Sequence, residues 1–148
     1  HGSSVSASDM RGMRERIQRE LSKETTGYDI KLGYGGLEEL EFTVQYLQLK
    51  NCSKYPSLLV QNTFDAIKRL RFAGIINQSH AESMKGAYIF YRTLESYLRL
   101  RERDILKKDD EDILTASAEF LGFKGKDEFM QCLEGTRKGV RDVYDIYV

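Results

Sequence analysis

The sequence predicts an all-α protein, a bundle of five to six mostly antiparallel helices. Three observations predict it. Apolar residues recur at spacings of three and four along most of the chain, as they do when one helix after another buries a face. The chain of 148 residues holds one proline and no tryptophan, which suits long helices better than a turn-rich β fold. Capping signals fall between the periodic stretches, where a bundle needs them.

The length fits one domain with a sizeable core. Residues 1–8, opening His1-Gly2-Ser3, read as a cloning remnant or linker, and 9–148 as a single helical domain. Hydrophobic residues make up 41% and charged residues 31%, the range of a soluble globular protein. Lys and Arg number 23, as do Asp and Glu, so no global field draws in nucleic acid or an acidic membrane surface. No apolar run approaches the ~20 residues of a membrane span. Cys52 and Cys132 are too few and too far apart for a disulfide framework or a zinc site, which points to free thiols in a cytoplasmic protein.

Taken in order, a first helix is capped by Ser8 or Asp9 and carries Met10, Met13, Ile17 and Leu21 on one face. Arg11, Arg14, Arg16 and Arg19 make it basic, and Thr25-Thr26-Gly27 ends it. Residues 28–32 alternate too briefly to demand a sheet, and an extended lead-in suffices. Gly33, Gly35 and Gly36 then form a glycine-rich loop before the second helix. That helix runs from Leu37 to near Asn51. Leu37, Leu40, Val44 and Leu47 form one apolar strip and Phe42, Tyr46 and Leu49 another, with Glu38, Glu41, Gln45 and Gln48 between them. At about 100° per residue, Glu41 borders the core.

A third helix is expected from Ser57 to Ala73, with Val60, Phe64, Ile67, Leu70 and Arg71 on one face and Gly74 just beyond its end. Ser79-x-x-Glu82 has the capping-box pattern and opens a long fourth helix, with Met84, Ala87, Tyr88, Tyr91, Leu94 and Leu98 inward. The acidic half of the connector 107–112 suits the start of a fifth helix. Its inner face would be Ile113, Ala116, Phe120 and Leu121, and Gly122 stops it. A last helix begins near Asp127 and buries Phe129, Leu133, Thr136, Val140, Val143 and Tyr147. Gly135 and Gly139 each cost it roughly 1 kcal/mol against alanine, and close packing against a neighbour is the expected reason for them.

Catalytic patterns are nearly absent. Gly33-Tyr34-Gly35-Gly36 invites comparison with a phosphate loop, but position 38 is Glu38 where a dinucleotide fingerprint needs glycine. Glu38, Glu39 and Glu41 would also repel a phosphate at the helix start. His1 and His80 are too few for a histidine-centred metal site or relay, and His80, inside the capping box, reads as solvated. The connector lacks the alternating oxygen ligands of a calcium loop. No catalytic residue, metal ligand or cofactor is therefore assigned to this chain. One polar constellation stands out instead. Glu41, Gln45, Arg92 and Glu95 are expected to form a structural or interdomain network fixing the second helix against the fourth and steadying the loop from Lys31 to Gly36. The plainer reading of Arg92, Glu95 and Arg99 is a pair at helical spacing on a half-exposed rim.

The stretch 31–45 resembles a motif of the bacterial glutamine synthetase adenylyltransferases, roughly K-x-G-x-G-G-I-x-[DE]-[IV]-E-F-x-x-Q. Lys31, Gly33, Gly35, Gly36, Glu39, Glu41, Phe42 and Gln45 stand at matching positions, with Leu37 for isoleucine. The likeness continues through Pro56-Ser57-Leu58, Gly74-Ile75-Ile76 and 87–95, where Arg92 and Glu95 match an R-x-x-E of the family. The resemblance implies a helical bundle of the kind that follows a polymerase-β-type nucleotidyltransferase domain. The Gly-Ser and Asp-x-Asp signatures by which that domain holds nucleotide and magnesium are not carried here, the only Asp-x-Asp-like spots being in the charged connector, at 107–112. It further implies that the complete enzyme uses ATP and magnesium to transfer AMP to a tyrosine of glutamine synthetase, or removes it by phosphorolysis, under a PII signal protein and glutamine. Lys31, with Gly33, Gly35 and Gly36, would be a phosphate-proximal loop facing the catalytic domain. Uridylyltransferases acting on PII share a related helical region. A free-standing helical interaction module is the alternative.

Overall fold

The computed structural model describes the backbone over residues 7–21 and 27–148, and side chains over 8–16 and 27–148. The readings of residues 1–6, Ile17, Arg19, Leu21, Thr25 and Thr26 lie outside the described side chains. The described residues form six α-helices: α1 (Ala7–Leu21), α2 (Leu37–Asn51), α3 (Thr63–Phe72), α4 (Gln78–Leu100), α5 (Glu111–Phe120) and α6 (Lys126–Tyr147). The all-α bundle is the observed fold.

A small addition is a two-stranded antiparallel ribbon of β1 (Gly27–Tyr28) and β2 (Leu106–Lys107), pairing Gly27 with Lys107 and Tyr28 with Leu106. A Cβ on Gly27 would lie 2.4 Å from the Leu106 carbonyl oxygen, so the pairing requires glycine there. Two-residue strands leave no periodic signal, and a simple extended lead-in was the expectation.

Helix α2 is the centre of the bundle, packing against α3, α4 and α6, while α4 also packs on α3 and α6. Leu37, Leu40, Val44, Tyr46 and Leu47 are buried as the two-strip pattern requires, whereas Leu49 is half exposed. Buried with them are Glu39, Thr43 and Gln48. Gln48 Nε2 donates to the carbonyls of Leu58 at 2.6 Å and Val60 at 2.9 Å. Those two bonds hold 57–62 out of helix, and Pro56–Leu58 is only a short 3-10 turn. The third helix therefore starts at Thr63 rather than Ser57, capped by Asn62, whose side chain accepts from the Asp65 amide at 2.8 Å.

Helix α4 is likewise capped by Asn77, accepting from the His80 amide at 2.7 Å, and not by Ser79. Its inner face is Ala81, Met84, Ala87, Tyr91, Leu94 and Leu98, with Tyr88 half-buried. In α5 the buried residues are Ile113, Leu114, Ser117 and Ala118. Phe120 instead lies outside the core and stacks on Tyr97 at 4.3 Å. Helix α6 buries Phe129, Leu133, Val140, Val143 and also Tyr144, leaving Thr136 and Tyr147 half-exposed. A Cβ on Gly139 would meet the Ser83 hydroxyl at 3.3 Å, so close packing accounts for that glycine, but nothing approaches Gly135 within 4 Å.

Candidate functional site: the glycine loop and its supports

The loop before α2 is closed by its own backbone. The Asp29 carboxylate accepts from the amides of Lys31 at 3.2 Å and Leu32 at 2.9 Å, the local turn that aspartate favours. Gly33 N–H donates to Asp29 O at 2.8 Å and Gly36 N–H to Gly33 O at 3.0 Å. The first amides of α2 are met by loop carbonyls, Leu37 N–H on Ile30 O at 2.8 Å and Glu38 N–H on Lys31 O at 2.9 Å. Orphan donors at a helix start are thus satisfied without a side-chain cap.

Gly35 is gripped from three sides. Its amide donates to Glu39 Oε2 at 3.2 Å, and its carbonyl accepts from the Tyr91 hydroxyl at 2.6 Å. Its φ is +61°, and a Cβ would lie 1.9 Å from the carbonyl oxygen of Arg137. Only glycine fits both the left-handed backbone and the space. Arg137 Nε also donates to Tyr34 O at 3.0 Å. The loop is thereby bound to α2, α4 and α6 together.

Glu39 is wholly buried, and its Oε1 meets Arg141 Nη1 of α6 at 3.2 Å. Burial raises its pKa above the ordinary carboxylate value, and Arg141, Arg14 and the Gly35 amide oppose that rise. Arg14 of α1 is 2% exposed, with Nη2 3.4 Å from Leu32 O and no partner for Nε among the described residues. Around this pair runs an alternating series of cations and tyrosine rings. Arg11 and Arg141 lie 4.7 and 4.9 Å from Tyr144, Arg141 and Arg137 lie 5.2 and 5.8 Å from Tyr34, and Arg137 and Lys108 lie 4.7 and 5.0 Å from Tyr28. The series ties α1, α6, the loop and the ribbon together with contacts worth about 0.5–1 kcal/mol each where exposed.

The residues singled out from sequence sit beside this structure, over the α2–α4 junction. Glu41 is half-buried, and its pKa is raised first by burial and then by Glu38. Arg92 and Lys31 pull it down, and Glu95 pushes it up, so these charges share one neighbourhood. Glu95 makes its ion pair with Arg99, at 3.6 Å. Arg92 is exposed with its guanidinium 5.9 Å from the Tyr88 ring, and Gln45 is exposed. Lys31 is exposed, while Gly33, Gly35 and Gly36 are buried. His80 is not a solvated capping residue, since its Nδ1 lies 2.6 Å from the Tyr147 hydroxyl.

Among the described residues, no cluster of three or more His, Cys, Asp or Glu is arranged to hold a metal ion. No described helix is long and apolar enough to cross a membrane. Cys52 and Cys132 are free and half-buried.

The family model described as GlnD PII-uridylyltransferase matches residues 9–148, and the chain belongs to that family. Its sequence is similar to bifunctional glutamine synthetase adenylyltransferase/adenylyl-removing enzymes. It is 37% identical to that of Cutibacterium acnes over 135 residues, covering 89% of this chain and 14% of the relative. For Mycobacterium tuberculosis the identity is 38% over 106 residues, 70% of this chain and 11% of the relative. For Streptomyces avermitilis it is 35% over 108 residues, 71% of this chain and 11% of the relative. The chain thus spans only about one seventh or less of the length of these relatives.

Proposed function

We propose that this chain is the helical accessory domain of a glutamine synthetase adenylyltransferase-like nucleotidyltransferase, supporting AMP transfer to, or removal from, glutamine synthetase in nitrogen regulation. The observation that supports it most is the likeness to bifunctional glutamine synthetase adenylyltransferase/adenylyl-removing enzymes, 37% identical over 89% of this chain in one of them. An upstream nucleotidyltransferase domain would hold both ATP and magnesium, and glutamine synthetase and a PII signal protein would be the other partners, in the cytoplasm.

The face turned to the catalytic domain is the α2–α4 junction. Glu41 is half-buried there with no hydrogen bond or ion pair among the described residues, beside exposed Gln45 and Arg92 and paired Glu95. Charged groups left in this state gain most when a partner surface completes their pairing. Lys31, exposed on a loop fixed by Glu39 and Tyr91, would reach toward a nucleotide phosphate on that side.

The test is transfer of labelled AMP from ATP to glutamine synthetase with magnesium. The isolated chain should transfer none. A longer polypeptide carrying it behind a nucleotidyltransferase domain should transfer, and Arg92→Glu should slow that transfer at least tenfold without lowering the thermal midpoint. Transfer by the pure 148-residue chain, or full activity of Arg92→Glu, would overturn the reading.

A further inference from the structure

The glycine amides cannot themselves receive a ligand, because those of Gly33, Gly35 and Gly36 are all bonded inside the fold. Beside the loop, however, lies a cleft of about 220 Å³ between residues 30–31 and the last turns of α4. Its apolar surface is Ile30 and Leu98, and its polar walls are Lys31, Arg99 and Arg103 with Glu95 and Asp104. We propose that this cleft binds a phosphate-class oxyanion through Lys31, Arg99 and Arg103, an inference that rests on the proposed phosphate-proximal role of Lys31.

The hydrogen-bond inventory decides the ligand's chemistry. The Lys31 ammonium has no ion pair or hydrogen bond among the described residues. Arg99 meets Glu95, and Arg103 meets Asp110, at 3.6 Å in both cases, which is beyond hydrogen-bond length. Two guanidinium forks and an ammonium thus offer many donors and engage few acceptors. Of the two carboxylates of the cleft, Glu95 meets Arg99 only at that same distance, and Asp104 has an interaction of its own. A ligand rich in acceptor oxygens fits that imbalance, and a tetrahedral oxyanion offers oxygens to three converging cations where a carboxylate offers two. The volume falls below the roughly 300–1,000 Å³ of sites for drug-sized ligands. It suits a phosphate or pyrophosphate group with any nucleoside lying outside.

The lip of the cleft is the C-terminal cap of α4. Glu102, with φ +56°, is the one non-glycine residue of positive φ among those described. Its amide closes on Arg99 O at 3.0 Å, and the Arg103 amide closes on Leu98 O at 2.8 Å. The chain is thereby folded back so that Arg103 stands over Leu98 on the cleft wall. These two bonds are the Schellman cap with which helices commonly end, here with Glu102 at the left-handed position.

The test is an amide chemical-shift titration of the 148-residue chain with inorganic phosphate, pyrophosphate and AMP, at constant ionic strength set with sodium chloride. Saturable shifts are expected at Lys31 and residues 98–104, with pyrophosphate the tightest. Lys31→Met and Arg103→Met should each weaken binding at least tenfold with unchanged thermal midpoints, while Arg69→Met on α3 should not. AMP binding as well as phosphate would assign the cleft to the phosphate of a nucleotide. Failure of AMP alone would assign it to the free anion. Shifts that do not saturate, or that survive Lys31→Met intact, would overturn the proposal. The titration needs no catalysis, so it can succeed where the AMP-transfer test fails, and the reverse.

Discussion

Arg141, six residues before the end of α6, meets Glu39 in the first turn of α2 at 3.2 Å, and the carboxylate it meets has no solvent exposure. A pair buried to this degree adds little net stability over a well-packed apolar pair, yet removing one partner strands the other. Arg141→Leu should therefore destabilise the fold by about 3–5 kcal/mol in urea unfolding. Glu39→Gln should cost less, since its amide oxygen can still accept from Gly35. A double variant near the sum of the two single losses would show that the pair is uncoupled.

Tyr91→Phe removes one hydroxyl and leaves the Gly35 carbonyl buried without its partner. The expected loss is about 1–3 kcal/mol. Hydrogen exchange should quicken at the Gly35 and Gly36 amides before it changes in α3.

Two glycines should answer alanine in opposite ways. Gly35→Ala drives a Cβ to 1.9 Å from a backbone oxygen at φ +61°, so the left-handed strain of about 1–2 kcal/mol is only the smaller part of its cost. Gly86→Ala lies within α4 with nothing within 4 Å of the new methyl. It should stabilise by about 0.5–1 kcal/mol. Thermal midpoints moving in the same direction would contradict the packing described.

Burial and the neighbouring Glu38 hold the Glu41 carboxyl above its ordinary range, so the folded chain keeps that proton to higher pH than the unfolded chain does. The stability this lends is full below the unfolded value and is lost as pH rises through the folded one. Glu39 acts in the same direction. Melts taken between about pH 4 and pH 7 should show a smaller decline in Glu41→Gln than in the unaltered chain. An identical pH dependence in both would mean that Glu41 is fully solvated.

The helices were legible because each repeats one local rule. Leu37, Leu40, Val44 and Leu47 announce α2, and all four are buried. Boundaries were less legible where a distant side chain decides them. Gln48 holds 57–62 out of helix by accepting no periodicity of its own, only by donating to two carbonyls. Asn62 and Asn77 were readable as caps in hindsight, but Ser79 with Glu82 offered a stronger-looking pattern. The candidate site was half legible. Glu41, Arg92 and Glu95 came from spacing within two helices. The Glu39–Arg141 pair joins positions 102 apart, and no helical period connects them. Glu39 itself stood in the motif, and a carboxylate on the apolar side of α2 was the available signal that a cation must reach it.

The attachment of the loop to Arg137 and Arg141 also sets an order of events. Residues 29–36 leave the ribosome about a hundred positions before the helix that clamps them, so they cannot settle while α6 is still unmade. Loss of α6 to proteolysis would undo the same clamp and loosen a segment far upstream in sequence. The shape of the loop thus reports whether the whole bundle has closed, and a surface built on it becomes available only on a finished domain.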